Sequence, residues 1–209
     1  MLSFDAPLTF GEFMTREELP LATVFREVME FLAGRNDAVV FGAYAVNAYC
    51  ETQRMTQHID VLSTGAAALA ESLREHLAAR FHIAVRVRGI AEERGQRIYQ
   101  VRQPKNRHLV DVRQVDALPE SHEMQGVRVI TPVMLIAMKV VGFAARKNRP
   151  KGDTDRADLR RLLLAFPALK VEAGEVADRL RAMGASDSAV AAWRDLATST
   201  IEPDDDDEY

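Results

Sequence analysis

One short segment of the sequence combines a glycine-led helix with a histidine and an aspartate. Residues 41–63 read FGAYAVNAYCETQRMTQHIDVLS, in which Gly42 opens a helix of small residues and a strand begins at His58. Alternate residues of a strand point to the same face, so the side chains of His58 and Asp60 are expected to lie together. A glycine turn permits the close approach of a phosphate, and carboxylates bind the ions that accompany phosphates. The segment therefore predicts a metal-and-phosphate site.

Asp111 is a further candidate for this site. It lies in HLVDVRQV, where strand alternation groups it with Leu109 and Arg113. Carboxylates clustered at the edge of a sheet bind Mg²⁺, which in turn orients triphosphate oxygens. In the alternative interpretation Asp60 caps a turn and Asp111 pairs with a nearby arginine. The spacing leaves both interpretations open.

Two charged residues fall on apolar faces of predicted helices. Lys139 projects between Leu135 and Phe143, and Asp155 aligns with apolar residues of the next helix. A buried ammonium group needs a carboxylate or a phosphate as its partner, so we expect Lys139 and Asp155 to form an inward pair. Alternatively, the lysine stem reaches the surface, and Asp155 favours the helix dipole with Asp153 as the N-cap.

Hydrophobic periodicity predicts the elements that position these residues. Helices are expected at 16–33, 43–50, 65–81, 132–147, 153–166, 172–184 and 186–198, and strands at 38–41, 58–63, 82–90, 97–103, 108–115 and 127–131. A mixed sheet in the first two thirds and helices in the last third predict an α+β fold. We expect an α/β core at 1–131, a helical part at 132–200 and an acidic disordered tail at 201–209.

The amino-acid composition indicates a globular protein. The chain has 47% hydrophobic and 28% charged residues, which is typical of a globular protein. Six acidic residues among 202–208 account for more than the net charge of −4, so the remainder is slightly basic. Its arginine-rich runs at 86–97, 101–108 and 145–151 either attract phosphates or form solvated faces. A single cysteine and the absence of a leader or of a membrane-spanning apolar run favour a cytoplasmic protein with no membrane partner.

The segment at 41–63 resembles the signature of the nucleotidyltransferase superfamily, which has a polymerase-beta-like fold. Within it the chain is most similar to the minimal AbiEii and MenT-type toxin-like nucleotidyltransferases. That signature is a Gly-Gly or Gly-Ser turn, a helix, and then Arg-x-Thr-x-Asp-x-Asp entering a strand. Gly42, Arg54, Thr56 and Asp60 are in register with it.

The resemblance continues downstream and implies a role for each matched residue. Asp111 matches a third strand carboxylate, Lys139 an inward helix lysine, and DTDRADLRRLL an Asp-x-x-Asp-Leu helix. The family's fold is a mixed sheet flanked by helices, followed here by the C-terminal helical part. Its implied catalytic residues are Asp60, Asp111 and Lys139; its nucleotide-binding residues are Gly42, Ala43, Arg54, Thr56, Asp155 and Asp158; and its metal ligands are His58, Asp60 and Asp111.

The resemblance also implies a cofactor, a reaction and partners. Mg²⁺ or Mn²⁺ would bind with an NTP substrate, and the nucleotidyl group would pass to RNA, such as tRNA, or to a protein. A cognate antitoxin would be a further partner.

Two departures from the signature leave other functions open. Ala43 replaces the second small residue of the turn, which is a mild change. His58 replaces the first acid of the Asp-x-Asp pair, a position that bridges the metal ions in the family, and a neutral imidazole suits Mn²⁺ better than Mg²⁺. The alternatives are a catalytically degenerate fold that binds nucleotide, RNA or protein, and an RNA-binding adaptor that uses the arginine-rich strands.

Overall fold

The structure is a computed structural model that describes residues 19–90, 92 and 94–203. Its helices are α1 (Leu21–Leu32), α2 (Gly42–Tyr49), α3 (Ala66–Phe81), α4 (Pro132–Ala145), α5 (Pro150–Ala165), α6 (Glu175–Ala182) and α7 (Asp187–Thr198), with a 3-10 turn at Pro167–Leu169. Its strands are β1 (Ala38–Phe41), β2 (Ile59–Ser63), β3 (Val85–Ile90), β4 (Gly95–Gln100), β5 (Arg107–Gln114), β6 (Ser121–Met124) and β7 (Val127–Ile130). The predicted α+β fold is confirmed.

All seven of these strands form one mixed sheet in the order β3-β4-β5-β2-β1-β7-β6. The pairs β2–β5 and β1–β7 are parallel, and the other neighbours are antiparallel. The four residues of β1, AVVF, are all buried, as the continuous apolar run of a central strand predicts. The centre of the sheet therefore holds β1, β2 and β5, the strands that carry the candidate site residues.

Strand β6 is the element that the sequence analysis missed. Its sequence, SHEM, has no apolar alternation, and none of its four residues is buried. It forms because it pairs with β7 through a tight turn in which Gln125 and Gly126 both have positive φ angles, of 52° and 79°. This backbone geometry is the one that two-residue hairpin turns favour.

Several predicted element boundaries shift by a few residues, and two of these shifts concern candidate residues. Helix α5 begins at Pro150, so Asp153 lies within its first turn, and the alternative that made Asp153 the N-cap is wrong. Strand β2 begins at Ile59, one residue after His58. His58 therefore lies in the bend that immediately precedes β2.

The chain divides into two compact units. The first comprises the described residues up to Ala48 together with those of Gln53–Ile130 and contains all seven strands of the sheet. The second comprises Tyr49–Thr52 and the residues from Thr131 onwards and contains helices α4 to α7. Residues 204–209, most of the predicted acidic tail, and residues 16–18 of the first predicted helix lie outside the described residues. No helix within the described ranges is both long and apolar enough to span a lipid bilayer.

Candidate functional site

Two carboxylates lie side by side at the centre of the sheet. Strands β2 and β5 are parallel neighbours, and their register places Asp60 directly opposite Asp111. Side chains opposite each other on paired strands point to the same face. The side chains are 13% and 6% exposed, respectively. The structure therefore brings together the two acids that the sequence analysis assigned to one site.

Gly42 packs directly against Asp60. It follows β1, in which Phe41 pairs with Asp60, and it begins α2 with a φ angle of +69°. A Cβ atom at position 42 would overlap the Asp60 carboxylate. Glycine is therefore favoured twice, by the left-handed backbone and by the close carboxylate. Gly42, at the start of α2, therefore lies in direct contact with the Asp60 carboxylate.

Asp111 forms a bidentate ion pair with Arg97. Arg97 lies opposite Asp111 on β4, and its Nε and Nη2 atoms donate to Oδ1 and Oδ2, each at 2.8 Å. Burial raises the pKa of Asp111, but the hydrogen bonds and charges of Arg97 and His108 outweigh it, so the pKa lies well below its ordinary value. The interpretation that Asp111 pairs with a nearby arginine is confirmed. Both of its oxygens are engaged.

His108 is a site residue that the sequence analysis did not include. Its Nε2 atom lies 2.8 Å from Oδ1 of Asp111, and its ring stacks on that of His58 with centroids 4.1 Å apart and an interplanar angle of 16°. The two imidazoles thus form a flat wall beside Asp111.

A β-bulge explains why strand alternation did not find His108. The residue-by-residue pairing of β4 with β5 skips Leu109. Alternation reverses at such a bulge, so His108 rather than Leu109 shares the face of Asp111. Leu109 is fully buried. The sequence contains no signal for a bulge at this position.

Asp60 is less tightly held than Asp111. Its carboxylate oxygens lie 3.6 Å from Nε2 of His58 and 3.6 Å from Nη2 of Arg113, which are both beyond hydrogen-bonding distance. Arg113 is half exposed and lies over the ring of Phe41, 5.0 Å from its centroid. Of the two carboxylates, Asp60 is the one that remains available to a ligand.

The donor set fits one metal ion better than two. His58, His108 and Asp111 offer ligand atoms within 4.8 Å of one another. However, the nitrogen lone pairs of the two stacked imidazoles lie in nearly parallel ring planes, so one of the rings would have to rotate for both to bind the same ion. Arg97 would also have to release Asp111, because it engages both carboxylate oxygens. Asp60 with His58 beside it fits an ion that arrives with a nucleotide, because Mg²⁺ is commonly held by one or two carboxylates and phosphate oxygens. The imidazole favours Mn²⁺.

A cavity of about 620 Å³ adjoins Asp111. Four cationic side chains, one histidine, one tyrosine, three amide side chains and a proline line it, and these described lining residues include no carboxylate. They are Arg88, Arg97, Arg102, Lys105, His108, Tyr99, Gln57, Gln103, Asn106 and Pro104. Arg97 and His108 belong both to the cavity wall and to the contacts of Asp111.

Arg54 and Thr56 shape the loop that leads to His58. The side chain of buried Asn47 donates to the carbonyl of Arg54 at 2.8 Å and accepts from its N–H at 3.1 Å. The Thr56 hydroxyl is buried and donates to the carbonyl of His58 at 2.9 Å. These contacts are structural. The nucleotide-binding roles of Arg54 and Thr56 stay predictions.

Lys139 lies in the second unit and joins α4 to α5. Its Nζ atom donates to Asp155 at 3.1 Å and to Asp158 at 2.7 Å, and Arg146 also binds Asp155 at 2.7 Å. The predicted Lys139–Asp155 pair is confirmed, and the alternative of a surface-directed lysine is wrong, because the side chain is only 11% exposed. The catalytic role of Lys139 and the nucleotide-binding roles of the two aspartates stay predictions, since the observed contacts of all three are structural.

Solved structures share this architecture. The JHP933 protein of Helicobacter pylori gives a TM-score of 0.59 at 11% identity, over 91% of this chain and 92% of that one. A candidate nucleotidyltransferase from the same organism gives a TM-score of 0.57 at 13% sequence identity, over 93% of this chain and 86% of that one. Megavirus polyadenylate synthase gives 0.58 at 14% identity, over 70% of this chain. The fold is nucleotidyltransferase-like.

These similarities establish the nucleotidyltransferase-like fold and no more. The identities are low, and this chain spans 32% of the length of Megavirus polyadenylate synthase. No protein-family model matches the sequence, and no curated protein matches it either. The closer resemblance to AbiEii and MenT-type proteins therefore stays a prediction.

Substitution of Gly42 tests its contact with Asp60. Gly34 has a similar φ angle of +73° but open space around its Cβ position among the described residues, so Gly34→Ala is a matched control. We expect Gly34→Ala to lose about 1 kcal/mol from the left-handed backbone alone. Gly42→Ala should lose at least about 1 kcal/mol more, because its methyl group displaces Asp60. Urea unfolding measures the loss of stability in both variants. Equal losses would show that a methyl group at position 42 does not displace Asp60.

Substitution of Lys139 tests the ion network of the second unit. Lys139→Met leaves the fully buried Asp158 side chain without its 2.7 Å partner. We expect the free energy of unfolding to fall by about 3 kcal/mol, because a buried charge loses its compensation. Lys147→Met, an exposed lysine beyond the end of α4, should change it by less than about 0.5 kcal/mol. Similar losses in the two variants would show that the network does not stabilise the unit.

Proposed function

We propose that this protein binds a nucleoside triphosphate beside Asp60 and transfers its nucleotidyl group to a hydroxyl acceptor. The observation that carries the proposal is the in-register pair of Asp60 and Asp111 beneath the left-handed Gly42. A nucleotidyltransferase-like fold supports it. The acceptor would be an RNA, such as tRNA, or a protein.

The backbone around Gly42 supports phosphate binding. The N-terminus of a helix carries partial positive charge and unpaired N–H groups, so the start of α2 favours an anion. Gly42 has no side chain to obstruct a phosphate, and Ala43 adds only a methyl group. The exposed guanidinium of Arg113 lies close enough to Asp60 to offset part of its charge. A triphosphate beside Asp60 would therefore meet both N–H donors and a cation.

A divalent ion bound with the triphosphate would neutralise charge on the phosphate oxygens. Asp60, with His58 beside it, is the residue that would hold the ion. Asp111 would act differently, because its pair with Arg97 is neutral overall and keeps the guanidinium fixed next to the substrate. Arg97 would thus position hydrogen-bond donors without adding net positive charge, and the exposed guanidinium of Arg113 would supply a cation beside Asp60.

The proposed transfer needs few protein groups. The acceptor hydroxyl oxygen forms a bond to the α-phosphorus, the bond from that phosphorus to the bridging oxygen breaks, and pyrophosphate leaves. Asp60 is the carboxylate available to take the hydroxyl proton. The catalytic role that the sequence resemblance implies for Lys139 would require it to loosen from Asp155 or Asp158.

Binding without transfer is the second candidate function. The specific observation in its favour is that both Asp111 oxygens are engaged by Arg97 while a histidine takes the place of the first acid. A cytoplasmic toxin controlled by an antitoxin is the narrower form of the first proposal. It rests on the sequence resemblance of residues 41–63.

Thermal unfolding with nucleotides tests both candidates. A ligand that binds only the folded state raises the unfolding midpoint. We expect an NTP together with Mn²⁺ to raise the unfolding midpoint of the wild type. The increase should be smaller when Mg²⁺ replaces Mn²⁺ or when EDTA removes the metal ion. Asp60→Asn should remove the shift, whereas Asp116→Asn, which changes an exposed acid, should retain it. If no NTP shifts the wild type, nucleotide binding is excluded under both candidates.

Incorporation of labelled NTP into RNA or protein then separates transfer from binding. The first candidate, nucleotidyl transfer, is supported if the wild type forms labelled product and Asp60→Asn does not. A nucleotide-dependent midpoint shift without product, together with product from His58→Asp, supports the second, because restoring the acid would restore the chemistry.

A further inference from the structure

We propose that the basic cavity beside Asp111 binds single-stranded polynucleotide. The binding itself does not depend on nucleotidyl transfer. The identification of the bound strand as the acceptor does rest on the proposed function, since only a transferase has an acceptor.

The charge of the cavity points to a polyanion. Arg88, Arg102 and Lys105 line it together with Arg97, and its described lining residues include no carboxylate. Arg97 is already paired with Asp111, so Arg88 and Lys105, which are both exposed, are the cations to which we attribute the net positive charge of the cavity. Lysine and arginine side chains that gather in a concave surface attract phosphates and raise their local concentration.

The neutral lining residues suit nucleobases. Tyr99 is half-buried and offers an aromatic face, and bases of any sequence stack on such faces. Gln57, Gln103 and Asn106 add amide groups that both donate and accept hydrogen bonds, as the edges of bases require. A cavity for inorganic phosphate alone would not need these groups.

The dimensions and surroundings favour a strand over a duplex or a free nucleotide. A volume of about 620 Å³ accommodates a ligand of nucleotide size, and a base-paired duplex cannot place its bases inside it. The lining of the cavity also includes Arg88 of β3, which is the outermost strand of the sheet. Exposed Arg86 lies on β3 outside the cavity lining and continues the positive charge of Arg88 along that edge. A chain longer than one nucleotide would reach this additional cation.

The position of the cavity would place a strand end at the proposed reaction centre. His108 and Arg97 line the cavity and contact Asp111, which lies beside Asp60. A terminal hydroxyl held at this wall would therefore be close to both carboxylates.

Fluorescence anisotropy with labelled oligonucleotides tests the proposal on the full-length protein. The probes are single-stranded RNA, single-stranded DNA of the same sequence, and the RNA duplex. We expect Arg88→Glu and Lys105→Glu each to weaken single-strand binding about tenfold and to reduce its salt dependence. Arg156→Glu and Lys151→Glu make the same charge changes at exposed positions on α5, and we expect them to change affinity by less than about twofold. All four substituted residues are exposed, and thermal unfolding verifies that each variant folds.

Tyr99 provides a readout that separates a base-binding cavity from a charged surface. We expect Tyr99→Ala to weaken single-strand binding and Tyr99→Phe to retain it, because stacking requires the ring and not the hydroxyl. Preference for RNA over DNA would show that the ribose hydroxyl is recognised, and equal affinity would show that the phosphates and bases suffice. Either result supports the proposal.

Four results would overturn the proposal. The first three are equal weakening by the cavity and control variants, duplex binding as tight as single-strand binding, and no binding by the wild type. Displacement of the oligonucleotide by free NTP, together with loss of the NTP-induced midpoint shift in Lys105→Glu, would also overturn it by assigning the cavity to the nucleotide. Oligonucleotide binding without any NTP-induced shift would instead reject the proposed function and leave the cavity proposal standing.

Discussion

The bidentate ion pair between Arg97 and Asp111 decides what the site can bind. It engages both oxygens of the more buried carboxylate at 2.8 Å, and strand register rather than side-chain flexibility creates it, since the two residues are direct partners on β4 and β5. A buried carboxylate without such a partner would be costly to keep ionised. The pair therefore stabilises the ionised form of Asp111. Because both carboxylate oxygens are engaged, Asp111 cannot bind a metal ion unless Arg97 moves away.

This constraint gives the two carboxylates different roles. Asp60 has no partner within hydrogen-bonding distance among the described residues and lies against Gly42 at the start of α2, so under the proposed function it is the group that would meet a nucleotide and its ion. Asp111 instead fixes Arg97 and His108, which form the wall of the basic cavity. Under the proposed function, one ion, the guanidinium of Arg113 and the cationic cavity together would supply the positive charge that a three-carboxylate site obtains from two ions.

The sequence predicted the features that depend on local periodicity. The hypothesis that carboxylates cluster on neighbouring strands grouped Asp60 with Asp111, and helical spacing on α4 and α5 paired Lys139 with Asp155. Features that depend on how distant strands pair were not predictable in this way. The bulge that brings His108 to Asp111 arises only when β5 pairs with β4, and the same pairing selects Arg97 among many arginines. Strand β6 also exists only through its partner, β7.

The number of Mn²⁺ ions bound per chain in the presence of a non-hydrolysable NTP tests this account most directly, and electron paramagnetic resonance measures it. The account predicts one ion for the wild type, none for Asp60→Asn, and a second ion for Arg97→Ala, in which Asp111 is released. Two ions bound to the wild type would contradict the account, because they would show that Arg97 does not keep Asp111 from binding metal. Retention of the ion by Asp60→Asn would contradict it as well.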